Sequence, residues 1–213
     1  MDWRGASPVQ KQFMHSVYQG HVYRSAQRGT FVGDVASSRL ARIEKQHQAQ
    51  IEAAKACQEL LKAARADLAQ QKPEQAIQLD IEYVSIISAY RSASQQFFKW
   101  QTNFPSYYRQ TRPQRSAVPG GEHGTAAVQF MIQYIGRRLA APGYSLHNSG
   151  LAVDFGTKEG GRNLTPDTSS ANVRHWRGSW LFHWLSANAS RFGYYQNTSI
   201  DEPWHWEYEK VTR

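Results

Sequence analysis

Two stretches decide how this chain is read: Ser145-Leu146-His147-Asn148-Ser149-Gly150-Leu151-Ala152-Val153-Asp154 and, further on, Glu202-Pro203-Trp204-His205. A catalytic zinc site takes three protein ligands and keeps one position open, and imidazole and carboxylate ligands suit it. His147, Asp154 and His205 supply such a set. Gly150 allows the chain to turn sharply after the His147 segment. A strand is expected over residues 151–155, where side chains alternate between faces. Leu151, Val153 and Phe155 then fill a core, while Ala152 and Asp154 face the site, and the small Ala152 leaves room beside a metal. In a second strand, Trp204, Trp206 and Tyr208 share one face and His205 turns to the other with Glu207. Glu202 stands three residues before His205, across Pro203, which interrupts sheet pairing. Its carboxylate can therefore reach the attacking water from outside the ligand shell, take its proton and deliver it to the leaving amine.

Taken singly, each residue has an ordinary explanation. A lone buried His is more often a hydrogen-bonded structural residue. Asp154 alone could cap a helix or pair with a basic residue, and Glu202 alone could be a surface charge. The fixed offsets of the set, rather than any one member, point to a metal. Cys57 is the only cysteine, so there is neither an intramolecular disulfide nor a Cys-rich zinc site.

Outward from these stretches the pattern is mixed. Residues 1–36 show no clear period. Leu40, Ile43, Ile51, Ala54, Cys57, Leu61, Ala64 and Leu68 recur at helical spacings, with Ser37 or Ser38 as N-cap, and predict one long helix over 38–71. Residues 81–90 (IEYVSIISAY) are apolar and β-branched, which predicts a buried strand. A helix is expected over 92–101 and a loop over 104–124, where Pro105, Pro113, Pro119, Gly120 and Gly121 gather. Helices follow over 125–139 and 180–190, with a Gly-containing loop over 158–178 between them. Strands from Tyr194 and over 204–208 close the sheet. The order predicts an α+β fold, a small antiparallel sheet with flanking helices. It divides into an N-terminal helical extension, 1–75, and a catalytic domain, 76–213.

The Ser-x-His-x-x-Gly-x-Ala-x-Asp pattern followed by Glu-x-x-His resembles the LAS zinc peptidases. Within them it is most similar to the VanY-like D-alanyl-D-alanine carboxypeptidases and the related L-alanyl-D-glutamate endopeptidases. Ala89-Tyr90-Arg91-Ser92 is similar to that branch's Tyr-Arg-Ser signature, and Gln96 stands five residues after the Arg, as in the family. The resemblance covers about residue 80 to the C-terminus. It implies one zinc held by His147, Asp154 and His205, with Glu202 as the general base. It implies that Arg91 binds substrate and stabilises the oxyanion, with Ser145 and Gln96 near the substrate. It also implies a LAS/hedgehog-like fold and, as substrate, peptidoglycan or its peptide precursors. Endopeptidase and D,D-carboxypeptidase activities both stay open. The hedgehog signalling domains show that such a scaffold can also serve as a zinc-stabilised binding domain without catalysis. Glu202 and Arg91, which a pure binding module does not need, favour the enzyme.

The chain has 213 residues with 25 Lys and Arg against 17 Asp and Glu, a formal net charge of +8. That balance draws the chain to polyanions: nucleic acid, an anionic membrane or an anionic cell wall. The basic residues are scattered and carry no nucleic-acid-binding motif. Residues 1–20 lack an apolar core of signal-peptide length, and no stretch is long enough to span a bilayer. The expectation is a bacterial enzyme that acts in the periplasm or wall, having left the cytoplasm by a non-classical route or having had its signal removed.

Overall fold

The structure is a computed structural model and describes residues 1–71 and 80–209. In chain order the described residues form α1 (Pro8–Ala26), β1 (Leu40–Glu44), β2 (His47–Gln50), α2 (Ile51–Ala69) and β3 (Ile81–Ser88). Next come α3 (Ala93–Gln110), α4 (Arg112–Ser116), α5 (Thr125–Gly136), α6 (Leu146–Ser149), β4 (Ala152–Glu159) and β5 (Arg162–Leu164). Last are α7 (Ser170–Gly178), α8 (Trp180–Asn188), β6 (Tyr194–Gln196) and β7 (His205–Tyr208). The fold is the expected mixture of helices with small antiparallel sheets. The chain divides into two compact units, Met1–Asp34 with Ser92–Asn148, and Val35–Arg91 with Ser149–Arg213. The expected boundary at 75/76 falls outside the described residues.

The second unit carries the sheet, in the order β3-β4-β7-β6 with β5 also paired to β4. All these pairings are antiparallel. Strand β4 is central: β3 runs along one edge, while β7 pairs with the start of the other edge and β5 with its end. The sheet's apolar face and α2 share one core. Ala53, Ala54, Cys57, Leu60, Leu61 and Ala64 of the helix are buried with Val84, Ile86, Val153, Phe155 and Trp206. Full burial of each large apolar side chain contributes roughly 1.5–3 kcal/mol. Among these residues the Cys57 thiol is inert: burial raises its pKa well above the usual range. Tyr194 anchors the helix by donating to the Ala53 carbonyl at 2.8 Å.

The first unit is helical. Trp100, Phe104 and Tyr108 recur every fourth residue on α3 and form one buried stripe with Phe13, Met14 and Val17 of α1 and Met131, Ile132 and Ile135 of α5. Helix α1 starts with a capping box: Ser7 accepts from the Gln10 N–H at 3.3 Å, and the Gln10 side chain accepts from the Ser7 N–H at 2.9 Å. Arg115 is fully buried, lying 3.9 Å from the Tyr108 ring centre and donating to the carbonyls of Tyr108 and Glu122.

Three expectations fail for physical reasons. The helix predicted over 38–71 starts only at Ile51. Before it the chain makes a 3-10 turn at Ser37–Arg39 and then the β1–β2 hairpin. Leu40 and Ile43 match a helical period, but the turn between Glu44 and His47 places Lys45 at φ +48 without the Asn-Gly or Asp-Gly that announces such hairpins. Tertiary bonds stabilise it: the Glu44 carboxylate accepts from the Ile86 N–H at 2.8 Å and pairs with Arg65. The loop predicted over 104–124 is in part helix, since α3 runs through Pro105 to Gln110 and α4 follows. A mid-helix proline costs about 3 kcal/mol, and the buried Trp100–Phe104–Tyr108 stripe offsets it. The loop predicted over 158–178 contains β5 and α7, the latter capped by Ser169, which accepts from the Asn172 N–H. Gly160 and Gly161, both at positive φ, form the β4–β5 turn.

Candidate metal centre

The register of β4 and β7 builds the site. Asp154 pairs with His205 and Ala152 with Glu207, while Val153 pairs with Trp206. Directly opposite residues share a face. Val153 and Trp206 therefore go to the core, and Asp154, His205 and Glu207 stand together on the other side. His205 lies between two carboxylates, with Nδ1 3.0 Å from Asp154 Oδ1 and Nε2 3.1 Å from Glu207 Oε1. Burial pushes the His205 pKa down. The hydrogen bonds and charges of Asp154 and Glu207 outweigh it and hold the metal-free ring up at about 10.

His147 sits on α6, a single turn set by its neighbours. The Ser145 hydroxyl accepts from the His147 N–H at 3.3 Å. The fully buried Asn148 accepts from the N–H groups of Gly143 at 3.0 Å and Ser145 at 3.1 Å. The chain leaves this turn through Gly150 at φ +71, where a Cβ would lie 3.1 Å from the backbone nitrogen of Gln50. That nitrogen donates to the Gly150 carbonyl at 2.9 Å, and the Gln50 amide donates to the Ser149 carbonyl at 2.7 Å. His147, Asp154 and His205 each offer a ligand atom, and the three atoms lie within 4.8 Å of one another. The residues are 5%, 8% and 6% exposed. Two imidazoles and one carboxylate, buried and convergent, fit a zinc ion with an open coordination position.

Arg91 follows the end of β3. A bulge between Ile86 and Ser88 brings Ser88 opposite Asp154, and Arg91 Nη1 donates to the Ser88 hydroxyl at 3.3 Å. Bulges re-aim side chains in this way. Burial lowers the Arg91 pKa while the charges of Asp154 and Glu202 oppose the shift, so the guanidinium is within electrostatic reach of both carboxylates. Glu202 is half-buried. Its turn is closed by the His205 N–H, which donates to the Glu202 carbonyl at 3.0 Å, and by the Trp206 indole, which donates to the Pro203 carbonyl at 3.2 Å. Gln96 is fully buried on α3 and donates to the Ala140 carbonyl at 2.7 Å. Ser145 is half-buried and holds the His147 turn.

Sequence reasoning missed Asn148, which fixes the His147 turn, and Gln50, which holds the Gly150 segment. Asn148 occupies a position that varies in the pattern, and Gln50 lies far from it in the chain. Neither carries a local signal.

An Asp and a His on a small antiparallel sheet, joined by a second His from the helical turn before it, with a Glu three residues before the sheet His and an Arg beyond the neighbouring strand, define the class of LAS-type zinc peptidases. Residues 46–211 match the family model of VanY, D-alanyl-D-alanine carboxypeptidase, and the chain belongs to that family. Among solved structures, VanYB in complex with D-alanine-D-alanine is 21% identical at a TM-score of 0.50, with 84% of each chain covered, and has the same fold. The vancomycin-resistance D,D-pentapeptidase VanY from a VanB-type cassette, in complex with Zn(II), is 21% identical at a TM-score of 0.47, covering 84% of this chain and 86% of that one. The LD-carboxypeptidase LdcB is 22% identical at 0.47, covering 83% of this chain and 66% of that one. No curated protein sequence is a significant match. Among the described residues no helix is long and apolar enough to cross a membrane.

Proposed function

We propose that this protein is a zinc metallopeptidase that hydrolyses peptide bonds of peptidoglycan stem peptides or their precursors, acting as a D,D-carboxypeptidase. The observation that carries the proposal is the convergence of His147, Asp154 and His205 within 4.8 Å in a chain of the VanY family. These three hold one ion per chain. When bound, zinc supplies a Lewis acid and lowers the pKa of a coordinated water to about 7. Glu202 takes the proton of the attacking water on its carboxylate and hands it to the departing amine. The backbone of Glu202 is tied to His205, whose N–H donates to the Glu202 carbonyl, which supports a base that acts beside the ligand set. Arg91, half-buried and bonded to Ser88, is the cation that stabilises the carbonyl oxygen as it gains charge in the transition state. Ser145 and Gln96 match family positions near the substrate; Ser145 accepts from the His147 N–H, and Gln96 donates to the Ala140 carbonyl. The net charge of +8 favours work on an anionic wall.

Digestion of purified peptidoglycan and of a synthetic stem pentapeptide tests this, with the fragments identified by mass spectrometry. Loss of a single terminal D-alanine is the expected product. Cleavage between L-alanine and D-glutamate makes the protein an endopeptidase instead, and intact substrates with zinc-loaded protein refute the peptidase. Glu202→Gln keeps the zinc and lowers turnover by roughly 10²–10⁴-fold. Near-normal turnover in that variant removes Glu202 as the base.

A further inference from the structure

Glu207 has no part in the chemistry described above, yet it stands on the site face of β7, opposite Ala152 and two residues from His205. Its Oε1 is 3.1 Å from His205 Nε2. The same oxygen accepts from Asn197 Nδ2 at 2.8 Å. The orientation of the Asn197 amide is fixed in turn, because its Oδ1 accepts from the Ser199 N–H at 2.9 Å and from the Ser199 hydroxyl. A directed chain therefore runs from Ser199 through Asn197 and Glu207 to one nitrogen of His205. The other nitrogen, Nδ1, is the one beside Asp154.

We propose that Glu207, oriented by Asn197, is a positioning residue of the metal centre: it holds the proton on His205 Nε2 and so commits Nδ1 to the metal. This rests on the metal centre proposed above. The physical argument is one of tautomers. A neutral imidazole carries its single proton on one nitrogen and offers the other as a ligand. A carboxylate bonded to Nε2–H fixes that choice, holds the ring plane and raises the basicity of Nδ1. Without it the ring can rotate or shift its proton, and the lone pair leaves the side where Asp154 supplies its oxygen. Asn197 matters because a carboxylate on a free side chain would have to be ordered each time the metal binds. Its amide has ordered Glu207 already. Partners of this kind typically change metal affinity by about 10–100-fold.

The test combines affinity with a spectroscopic signature. Zn(II) affinity is measured by competition with a chromophoric chelator for the unmodified protein and for Glu207→Ala, Glu207→Gln and Asn197→Ala. Each is also loaded with ¹¹³Cd(II) and its ¹⁵N-histidine spectrum recorded. In the unmodified protein, cadmium couples to His205 Nδ1, and Nε2 carries a slowly exchanging proton. Glu207→Ala weakens zinc by about 10–100-fold and speeds that exchange. Glu207→Gln, whose amide oxygen still accepts, loses less, and Asn197→Ala loses least. Cadmium coupling to Nε2 in the unmodified protein overturns the inference, as does unchanged affinity in Glu207→Ala. Should Glu207→Ala fail to fold, the coupling in the unmodified protein and the affinity of Glu207→Gln decide. An unmodified protein that takes up neither Zn(II) nor Cd(II) refutes the metal centre itself, which is a different failure.

Discussion

His205 and His21 are buried to nearly the same degree, 6% and 4% exposed, yet they are driven in opposite directions. Burial lowers the pKa of both. Around His205 the carboxylates of Asp154 and Glu207 reverse that effect and hold the metal-free ring at about 10. Around His21, in the helical unit, nothing reverses it. The Trp100 indole donates to its Nδ1 at 3.0 Å, and Arg24 adds positive charge, so its pKa falls to about 4. One ring sits among groups that welcome a cation, whether a proton or a metal. The other is held neutral as a packing residue with one satisfied acceptor. What distinguishes a candidate ligand from a core histidine is the sign of its neighbours, not its depth.

The largest effect that could break this contrast comes from removing each ring. His205→Ala should lose both the bound zinc and turnover, because two protein ligands on an open site do not retain the ion. His21→Gln should keep full zinc stoichiometry and activity. Elemental analysis of the two variants purified in parallel decides. A zinc-replete His205→Ala, or a zinc-free but folded His21→Gln, would collapse the distinction.

The sequence carried the His205 half of this contrast and not the His21 half. Asp154 and His205 were legible because strand alternation and the Glu-x-x-His offset place them without tertiary knowledge. The burial of Val153, Phe155 and Trp206 on the opposite face followed from the same alternation. His21 lies in residues 1–36, where no period stands out, and only the fold brings Trp100 to it from a distant helix. The β1–β2 hairpin and the helix through Pro105 were illegible for a related reason. In both, a local preference is overridden by long-range contacts: Glu44 to Ile86 and Arg65 in one, the Trp100–Phe104–Tyr108 stripe in the other. The Glu207–Asn197 pairing depends on two strands meeting in register, which no spacing within one segment reveals.

A smaller effect concerns pH. His21 has a folded-state pKa depressed from 6.5 to about 4. Between these values the unfolded chain binds the proton and the folded chain does not, so stability is fully present above about pH 6.5 and declines as pH falls toward 4. The shift corresponds to a loss on the order of 3 kcal/mol. Carboxylates also titrate in this window, so the measurement is a difference. Urea midpoints at pH 7 and pH 4.5 should fall further for the unmodified protein than for His21→Gln, which stays neutral throughout. Equal falls would show that His21 is protonated inside the fold without penalty.

The smallest effect isolates the second cause of that shift. Arg24 is the basic residue in the last turn of α1, and its charge adds to burial in lowering the His21 pKa. Arg24→Gln should have two opposed consequences. At pH 7 His21 is neutral, so nothing is gained there, and the variant loses a favourable interaction with the helix C-terminus of about 0.3–1 kcal/mol. Toward pH 4.5 a fraction of His21 becomes protonated, and removing a neighbouring cation stabilises that form. The variant's deficit should therefore shrink as pH falls, by roughly 0.5 kcal/mol or less, the size of a partly solvated charge interaction. In the His21→Gln background the narrowing should vanish, because no imidazole remains to be protonated. Persistent narrowing there would assign it to another titrating group and leave burial as the sole cause of the His21 shift.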